Sequence, residues 1–479
     1  MRSSLRLTSF MLLFMVLLSP ALLATHLRSG RIIAKQVSLL SVEITIEVYT
    51  DTRSEVLLGE GLLDFGDGST PFSPPIVPSN FQATLVNDEI ILTQLDPPDL
   101  EKDVAIAKFT ITHTYSSAGI YLIGYTEPNR NEGILNVNNS VNTTFYTESL
   151  ITLDSQNPRY HSPITIVPPV FEFALSVNPL TVSLAAVDSN DYKLRYSLVT
   201  PKSDKDTETT GFDFGGVSIN PLNGLFRWDI DPDLGRQGEY NFAVRIDQYR
   251  EDAIIGFLVT DFQVILLDSD QEVIVDDDLN LDENNRIVLP SGDASNFDIT
   301  VTKGDGQSAT IEAISPLIET GNLTFEVTET TINLKGSVSL NSTDGIDRDN
   351  PYVITIRTII VPEQGVQIVK DINYLLYTRD IEDEIPDPDP VVITSTLPEE
   401  AEQYIKYYPN PALSNLNITF GRQTSGTIRL MDLNGRIVFS EGFNDKFKTT
   451  MNLEDLSEGI YNIEIRTRDD IKSFRFVKY

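Results

Sequence analysis

The sequence predicts an all-β protein built of tandem β-sandwiches joined by short linkers. A short phrase of one Tyr and alternating apolar residues recurs four times, at intervals of roughly 110 to 120 residues: GIYLIGY (119–125), GEYNFAV (238–244), NPYVITI (350–356) and GIYNIEI (459–465). One β-sandwich takes roughly 100 residues. The interval therefore fits one sandwich per copy and is far too long for a solenoid or propeller repeat.

Local patterns give the same fold class. Helix signals are almost absent, and short alternating runs such as 42–48, 324–327 and 354–360 are separated by Gly, Pro, Asn and Asp, as expected for strands joined by turns. In the last copy of the phrase, Tyr461 and Ile463 are predicted to face the core, because successive side chains of a strand point to opposite faces. A tyrosine at such a corner can bond its hydroxyl to the backbone.

Composition excludes several kinds of function. The 479 residues allow three or four domains, and the net charge of −34 argues against binding nucleic acid or an anionic membrane surface. The absence of cysteine excludes a thiol nucleophile, disulfides, a zinc knuckle and an iron–sulfur site. An acidic chain of this kind is compatible with calcium, which prefers oxygen ligands.

Residues 1–24 are predicted to be a secretory signal peptide. Arg2 and Arg6 precede an apolar run at 10–18, and small residues follow it. Cleavage after Ala24 would leave Thr25 as the first residue, with Ala21 as a second possible cleavage position. The apolar run is shorter than the about 20 residues that span a bilayer, so we expect an exported chain. The alternative is a buried N-terminal helix.

The first predicted module, 25–157, contains LDFGDGST at 63–70 and HTYSSAGIYLIGY at 113–125. The first motif is a glycine-rich turn in which the side chains of Asp64 and Asp67 bond the backbone. Together, in this order, the motifs resemble a polycystic-kidney-disease (PKD) repeat, which is an immunoglobulin-like (Ig-like) sandwich of extracellular proteins. The insert between them is longer than in the family.

Two further stretches of this module resemble the N-terminal module of surface proteins from gliding Bacteroidetes. They are ATHLRSG at 24–30 and NRNEGILNVNNSVNTTFYTE at 129–148. This resemblance implies a surface location, and it assigns no chemistry to any residue of the two stretches.

The second predicted module, 158–267, contains three motifs: AAVDSNDYKLRYSLV (185–199), VSINPLNGLFRWD (217–229) and GEYNFAVRIDQY (238–249). In this order they resemble a cadherin-like or Ig-like domain of bacterial surface proteins. Trp228, the one tryptophan, is predicted to fill the core. The third module, 268–380, is predicted to be a sandwich from its strand pattern alone.

Residues 381–402 are predicted to be an acidic, proline-rich linker, since IEDEIPDPDP favours an extended spacer. The tail beyond it, 403–479, has eleven Lys and Arg against nine Asp and Glu, unlike the acidic body. Its blocks, in order, are YYPNPALSNLNI (407–418), IRLMDLNGRIV (428–438), NLEDLSEGIYNIEI (452–465) and IKSFRFVKY (471–479).

These blocks closely resemble the type A C-terminal sorting domain of the type IX secretion system. The resemblance implies that an outer-membrane translocon recognises the tail, which is then removed, and that the body is released or attached to surface lipopolysaccharide. The positions that match the family's motifs are Tyr408, Pro409, Asn410, Pro411, Gly435, Gly459, Tyr461 and Lys478. The residue pattern alone would also fit a fourth binding sandwich.

Calcium is the cofactor that the sequence suggests, because oxygen-rich junctions between sandwiches can supply the 6–8 oxygen ligands that it takes. The candidate ligands are Asp188, Asp191, Asp247, Asp268, Asp270, Asp276, Asp277, Asp278 and Asp282. The run at 278–282 begins like an EF-hand loop, but Glu283 replaces the required glycine. The alternative interpretation of these acids is a solvated surface.

Catalysis is not predicted. The sequence contains no GxSxG, HExxH or GxxxxGK motif, and nothing places His26, His113 or His161 beside a nucleophile. We therefore expect a secreted or surface-displayed, non-catalytic protein with an adhesive or structural role. The alternative is a carbohydrate-binding surface protein that supports polysaccharide use, with aromatic side chains aligned on one exposed sheet face. The ligand would be a glycan or a protein.

Overall fold

The computed structural model describes the following residues: 27–53, 58–59, 61–96, 103–128, 130–154, 159–211, 216–230, 236–250, 253–268, 274–282, 284–303, 307–342, 346, 348–362, 366–378, 405–408, 415–431, 436–453, 456–457, 459–467 and 471–478. Several predictions lie outside these residues. They concern the signal peptide 1–24 with Ala24 and Thr25, the linker 381–402, and Asp270, Pro409, Asn410, Pro411 and Gly435.

The described residues form these strands. The first region has β1 (Leu27–Gln36), β2 (Ser41–Asp51), β3 (Leu62–Asp64), β4 (Phe81–Val86), β5 (Glu89–Gln94), β6 (Val104–Thr114), β7 (Gly119–Glu127) and β8 (Phe145–Leu153). The second has β9 (Ile164–Thr165), β10 (Glu172–Ala174), β11 (Leu180–Ser183), β12 (Ala186–Val187), β13 (Lys193–Val199), β14 (Lys202–Asp204), β15 (Thr207–Glu208), β16 (Val217–Ile219), β17 (Leu225–Trp228), β18 (Gly238–Arg250) and β19 (Ala253–Leu267).

The third region has β20 (Ile274–Asp277), β21 (Arg286–Val288), β22 (Ala294–Thr302), β23 (Ser308–Ile314), β24 (Leu323–Glu329), β25 (Asn333–Asn341), β26 (Tyr352–Val361) and β27 (Ile368–Tyr377). The tail has β28 (Ile405–Tyr408), β29 (Asn415–Met431), β30 (Ile437–Asn452), β31 (Gly459–Thr467) and β32 (Ile471–Lys478).

The predicted all-β fold class is confirmed. Apart from the strands, the described part of the chain holds one short 3-10 helix, Ser140–Asn142. No helix in that part is long and apolar enough to cross a membrane. The chain divides into two compact units between residues 385 and 386, apart from residues 251–254.

Alternation along the strands builds the first core. Val42, Ile44, Ile46 and Val48 of β2 are all fully buried, whereas the residues between them at the start of the strand are less so. Strand β2 lies between β1 and β6 and pairs with both in antiparallel register. The same cluster includes the fully buried Phe109 of β6. Burial of such side chains contributes about 1.5–3 kcal/mol each.

The recurring phrase marks the same corner in each copy. In three copies the tyrosine hydroxyl donates a hydrogen bond to the carbonyl four residues upstream: Tyr121 to Ser117 (2.9 Å), Tyr240 to Arg236 (2.9 Å) and Tyr461 to Ser457 (2.8 Å). In the fourth copy, Tyr352 donates to the carbonyl of Ile346 (3.0 Å). The predicted inward positions Tyr461 and Ile463 are buried, and so is Ile465, the next alternate residue of the strand. The phrase therefore recurs because, in each copy, its tyrosine ties the start of the strand to the preceding backbone.

Trp228 fills the core of the second region, as predicted. It follows the turn at Gly224, whose φ is +71°, and its ring meets those of Tyr240 and Phe242 edge-on, at centroid distances of 4.8 and 5.2 Å. Edge-to-face pairs of this kind contribute about 0.5–1.5 kcal/mol beyond the area they bury.

The first two predicted modules share one large sheet. Strand β19 pairs with β1 (Ser29 opposite Phe262) and with β8 (Ile151 opposite Gly256), and its far end runs parallel to β10. The sheet therefore continues across the predicted boundary at residue 157, and the first module does not end in a separate sheet.

The third region is a two-sheet sandwich. One sheet has the order β20-β22-β25-β24 and the other β21-β27-β26-β23. Phe297, Ile299 and Tyr374 pack between them. Val369 of β27 belongs to the core of the second region, whereas Ala174 of β10 belongs to that of the third, so the two regions also pack together.

The tail forms a sheet of its own, with the order β28-β29-β31-β32 and with β30 also paired to β29. Its apolar core includes Leu416, Ile428 and Ile463. The last strand, β32, pairs along its whole length with β31.

Candidate functional site

A buried polar junction joins the first two regions. The guanidinium of Arg130 donates to both carboxylate oxygens of Asp261 on β19, at 3.1 and 2.8 Å, and both side chains are 2% exposed. Asn241 of β18 completes the group, because its amide also donates to Asp261 at 2.9 Å. An ion pair buried this deeply contributes only when hydrogen bonds satisfy its remaining groups. Arg130 also donates to Oδ1 of Asn241 (3.1 Å) and to the carbonyl of Lys202 (2.9 Å), whereas its Nε has no partner among the described residues.

The segment 130–143 binds the edge of β18. The side-chain amide of Asn136 donates to the carbonyl of Asn241 (2.9 Å), and its oxygen accepts from the amide of the same residue (2.8 Å). The backbone amide of Leu135 donates to the backbone carbonyl of Glu239 at 2.8 Å. These bonds replace a strand partner, so the segment covers part of β18.

Arg28 of β1 extends the junction. Its guanidinium pairs with Asp51 at 2.5 Å and with Glu239 of β18 at 3.3 Å. Asn131 donates to Glu239 (3.0 Å) and to Gln263 of β19 (3.1 Å). The two stretches that resemble the surface-protein module, 24–30 and 129–148, therefore meet at this junction.

An open cavity of about 190 Å³ lies beside the junction, where β8, β14, β18 and β19 converge. Its charged lining residues are Glu148, Lys202, Glu208, Arg245 and Asp261. Val199, Ala243 and Val259 supply apolar surface. The cavity thus combines groups of both charges with a smaller apolar wall.

Each cation of this cavity has a carboxylate partner. The ammonium of Lys202 donates to Oε1 of Glu148 at 2.6 Å. Arg245 donates to Asp247 at 2.6 Å, and its guanidinium lies 3.8 Å from the ring centre of Phe257.

One carboxylate oxygen of this cavity has no partner. Glu148 is 7% exposed, and its Oε2 has no hydrogen-bond partner among the described residues. Burying a charged group without full hydrogen bonding is costly. Burial raises the pKa of Tyr146, which also lines the cavity, and the charge of the adjacent Glu148 and a hydrogen bond with it raise it further. The hydroxyl of Tyr146 therefore keeps its proton and can donate to that carboxylate. The mixed polar and apolar lining makes this cavity the candidate site.

In the second region, the acids that were predicted as calcium ligands are paired with other groups of the protein. Oδ1 of Asp188 accepts from the backbone amide of Asn190 (2.7 Å), and its Oδ2 accepts from Gln248. Asp191 pairs with Arg348 at 3.3 Å. Asp247 bonds Arg245, and burial raises its pKa, against the opposing effect of that arginine.

The candidate acids after β19 either have separate partners within the protein or are exposed. Asp277 accepts from the hydroxyl of Tyr374 (2.8 Å), Asp278 from the amide of Asp298 (2.9 Å) and Asp282 from the guanidinium of Arg286. Asp268 and Asp276 are exposed. Within the described residues, no three acids or histidines come close enough to hold a metal ion. Calcium binding stays a prediction without support from this placement.

The glycine-rich turn of the first region is bound to the strand that follows the insert. Oδ2 of Asp67 lies 2.7 Å from Nε2 of His113, and its Oδ1 accepts from the backbone amide of Ser69 at 3.0 Å. The hydroxyl of Tyr115 donates to the carbonyl of Phe65 at 3.0 Å. The two motifs that resemble the PKD repeat are thus in contact, in a structural arrangement.

Replacing Asp67 with asparagine is expected to lower stability in a pH-dependent way. Burial raises the pKa of Asp67, but hydrogen bonds from Ser69 and His113 outweigh it and lower the pKa from 3.8 to about 2. A carboxyl with a lowered pKa stabilises the fold above its unfolded pKa, and this contribution is lost as the pH falls towards the folded value. The difference in melting temperature between wild type and Asp67→Asn should therefore shrink between pH 3.8 and about 2. A difference that stays constant with pH would contradict the assignment.

The other histidine described, His161, donates from Nδ1 to the carbonyl of Ser162 (2.7 Å). Of the sorting-motif residues, Tyr408 ends β28, Gly459 begins β31, and Lys478 is buried at the end of β32. Among the residues described before the tail, no aromatic side chain is exposed. The aligned aromatic face expected of a carbohydrate-binding sheet is therefore not found in that part.

Sequence reasoning missed the residues of the junction and the cavity. The stretches that contain Arg28, Arg130 and Glu148 were recognised as distinctive, but their partners on β18 and β19 were not. One signal in the sequence could have indicated the junction. Strand β19 has a long apolar run that also contains Asp261 and Gln263. Such a run is typical of a strand that is buried on both faces, so polar residues within it need buried partners.

Comparison with known proteins identifies the tail. Residues 406–478 match the family model of the secretion system C-terminal sorting domain. This domain marks proteins that the type IX system exports to the cell surface or the extracellular space, and it implies interaction with the secretion machinery. The prediction of a sorting domain in the tail is confirmed over residues 406–478. No curated protein matches the chain.

Solved structures share only general fold features with the chain. The N-terminal four Ig domains of Dscam1 isoform 6.9 are 10% identical, cover 94% of this chain and 99% of theirs, and give a TM-score of 0.19. Drosophila N-cadherin EC1-4 is 14% identical, with 90% and 94% covered and a TM-score of 0.18. Bacteroides ovatus SGBP-B, solved with a mixed-linkage heptasaccharide, is 10% identical, with 66% and 70% covered and a TM-score of 0.14.

Proposed function

We propose that the chain is a non-catalytic protein of the cell surface, with an adhesive or structural role, and that the sorting tail delivers its body there. The continuity of the body carries this proposal. Strand β19 unites the first two regions in one sheet, and a buried ion pair fixes the first region to the second. A second buried pair, within the third region, is hydrogen-bonded to the second region. A body with such junctions transmits load between its ends, as an adhesive or structural protein requires.

The junction between the second and third regions supports the same proposal. Arg357 and Asp371, which are 3% and 0% exposed, form a bidentate pair at 2.9 and 2.8 Å. Oδ2 of Asp371 also accepts from the backbone amide of Ser183 (2.8 Å), and Arg357 donates to the carbonyl of Pro168 (2.6 Å). Relative motion of the two regions would break these hydrogen bonds in a place that water does not reach.

Deletion of residues 403–479 is expected to leave the body folded and in the periplasm. The tail forms a separate compact unit, so its loss removes no strand of the body, while the secretion machinery loses the domain that it recognises. Fractionation and antibody labelling of intact cells would measure this. The matched control is a chain with the tail intact and the substitution Glu441→Gln at an exposed position. Normal surface display of the deletion variant would contradict the sorting role.

Adhesion is tested by comparing cells that display the full chain with cells that lack it. We expect weaker attachment to surfaces or to other cells when the chain is absent, with restoration by the full chain and not by the tail-deleted chain. Attachment that is the same in all strains would count against the adhesive role and would leave the structural one to be tested by envelope integrity.

Carbohydrate binding is the second candidate function. The cavity beside Glu148, with its mixed charges and its apolar wall, favours it. The body would then be a surface protein that holds glycan during polysaccharide use, and it would either be released or stay attached to surface lipopolysaccharide.

A further inference from the structure

The large sheet of the first two regions ends in an exposed, apolar edge strand, β5. Within the described residues, β5 pairs with β4 alone and is the last strand of its sheet. All of its residues are exposed, and three in succession are apolar: Ile90, Ile91 and Leu92, with exposed fractions of 43%, 50% and 51%. A free edge of this kind presents unpaired backbone groups with which a strand of another chain can pair.

Other edge strands of the body are protected in ways that β5 is not. Strand β15 has two residues and β21 has three. Strand β24 carries Glu326 and Glu329, and β20 ends with Asp276 and Asp277. Short length and charge are common protections of a sheet edge. After Glu89, β5 has neither a charge nor a proline, and its pairing with β4 runs without a bulge.

The register of the β4–β5 hairpin determines which backbone groups are free. A two-residue turn at 87–88, with φ of +49° and +64°, closes the hairpin. Just beyond β5, the amide of Leu95 donates to the carbonyl of Asn80 at 2.8 Å. Because backbone groups point alternately to the two sides of a strand, the odd-numbered residues of β5 bond to β4. The residues whose N–H and C=O groups point to the free edge are Ile90, Leu92 and Gln94.

The free edge is complementary to itself. Two copies of β5 can pair antiparallel about a twofold axis at Ile91, so that Ile90 of each copy lies opposite Leu92 of the other. Both residues have free backbone groups, and such a pair exchanges two N–H···O bonds. Their side chains lie on the same face as that of Leu85, which packs against the first core. Pairing therefore joins the apolar surfaces of the two copies.

Charge selects this register. With the axis at Ile91, Glu89 lies opposite Thr93 of the second copy, and no carboxylate faces another. A shift by two residues in one direction brings Asp88 opposite Asp96, and a shift in the other direction brings Asp88 opposite an apolar residue. Like charges directly opposite each other destabilise a strand pair. The positions of the acids thus favour pairing of β5 with itself in one register.

We propose that two copies of the chain form a dimer through β5, with one continuous sheet across the interface. This goes beyond the proposed function, because it names a second copy of the chain as a partner. One added strand pair is a smaller contact than the about 1,200–2,000 Å² of a stable interface, so we expect a dissociation constant of about 10–100 µM. Both copies carry a net charge of −34, and salt screens their repulsion, so salt should strengthen the dimer.

Sedimentation velocity of the purified chain, residues 25–479, tests the proposal at protein concentrations up to about 300 µM. We expect a monomer–dimer equilibrium that shifts towards the dimer between about 0.1 and 0.5 M NaCl. Ile91→Glu places two carboxylates opposite each other at the axis and should weaken the dimer by about tenfold or more. The matched control is Ile332→Glu between β24 and β25, where Ile332 is 55% exposed. This variant adds the same charge and should associate like wild type.

A variant of opposite charge identifies the register. Ile91→Lys alone should also be weakened, because two ammonium groups then meet at the axis. An equimolar mixture of Ile91→Glu and Ile91→Lys should form a mixed dimer, since opposite charges face each other. Ile91 is half exposed, so both variants should fold, and their melting temperatures would show it.

The proposal is overturned if the wild-type chain stays monomeric at about 300 µM, which would leave the edge to a strand of a different protein. It is also overturned if Ile91→Glu dimerises like wild type, or if the mixture of the two variants associates no better than either alone. Failure here is distinct from failure of the proposed function. A monomeric chain on which the attachment of cells still depends would contradict the dimer and leave the adhesive role in place.

Discussion

Replacing Asp261 with alanine is expected to destabilise the body by about 3–5 kcal/mol, because it leaves a buried guanidinium without its carboxylate. Arg130 and Asp261 are each 2% exposed and share two hydrogen bonds. Asn241 would lose an acceptor at the same time. Since these residues come from the segment before β8, from β18 and from β19, their loss weakens the junction of the first two regions.

Chemical denaturation of the body, followed by circular dichroism, measures this change. The matched control is Arg227→Ala, which removes an ion pair with Asp229 in which the side chains are 48% and 55% exposed. Exposed pairs contribute about 0–1 kcal/mol. If Asp261→Ala lowers the free energy of unfolding no more than this control does, the junction is not held by the buried pair.

Replacing Asp371 with alanine should have an effect of similar size, about 3–5 kcal/mol, at the other junction. Asp371 is fully buried, and it accepts two bonds from Arg357 and one from the backbone amide of Ser183. The substitution leaves both donors without an acceptor in a setting closed to water. The loss falls on the contact between β11 and β27, and thus on the second and third regions together.

The double variant Asp371→Leu with Arg357→Met is the control for this second prediction. It removes both charges at once, and replacement of a whole buried pair by apolar residues is often close to neutral. Part of the cost should remain, because Ser183 and Pro168 also lose partners. If the double variant is as unstable as Asp371→Ala, packing is responsible for the effect and the unpaired charge is not.

Local pattern was sufficient to predict much of the fold. The alternation at 42–48, the turn before Trp228 and the tyrosine of each recurring phrase all depend on residues near one another in sequence, and the structure places them as expected. The tail was identified from its motifs because its blocks lie in order within one short segment.

The junctions could not be predicted in this way. Arg130 and Asp261 lie 131 residues apart, and nothing in either neighbourhood specifies the other. The pairing of β19 with β1 and β8 is likewise a long-range choice that depends on the whole sheet. An aspartate that pairs with arginine also looks the same in sequence as one that binds calcium, as Asp247 and Asp282 show.

The most direct test of this account is the cooperativity of unfolding of the body, residues 25–380. We expect a single calorimetric transition, which Asp261→Ala and Asp371→Ala each shift as a whole, because the shared sheet and the buried pairs couple all three regions. Separate transitions, with one region melting while the others remain folded and each substitution acting on its own region alone, would contradict the continuity of the body.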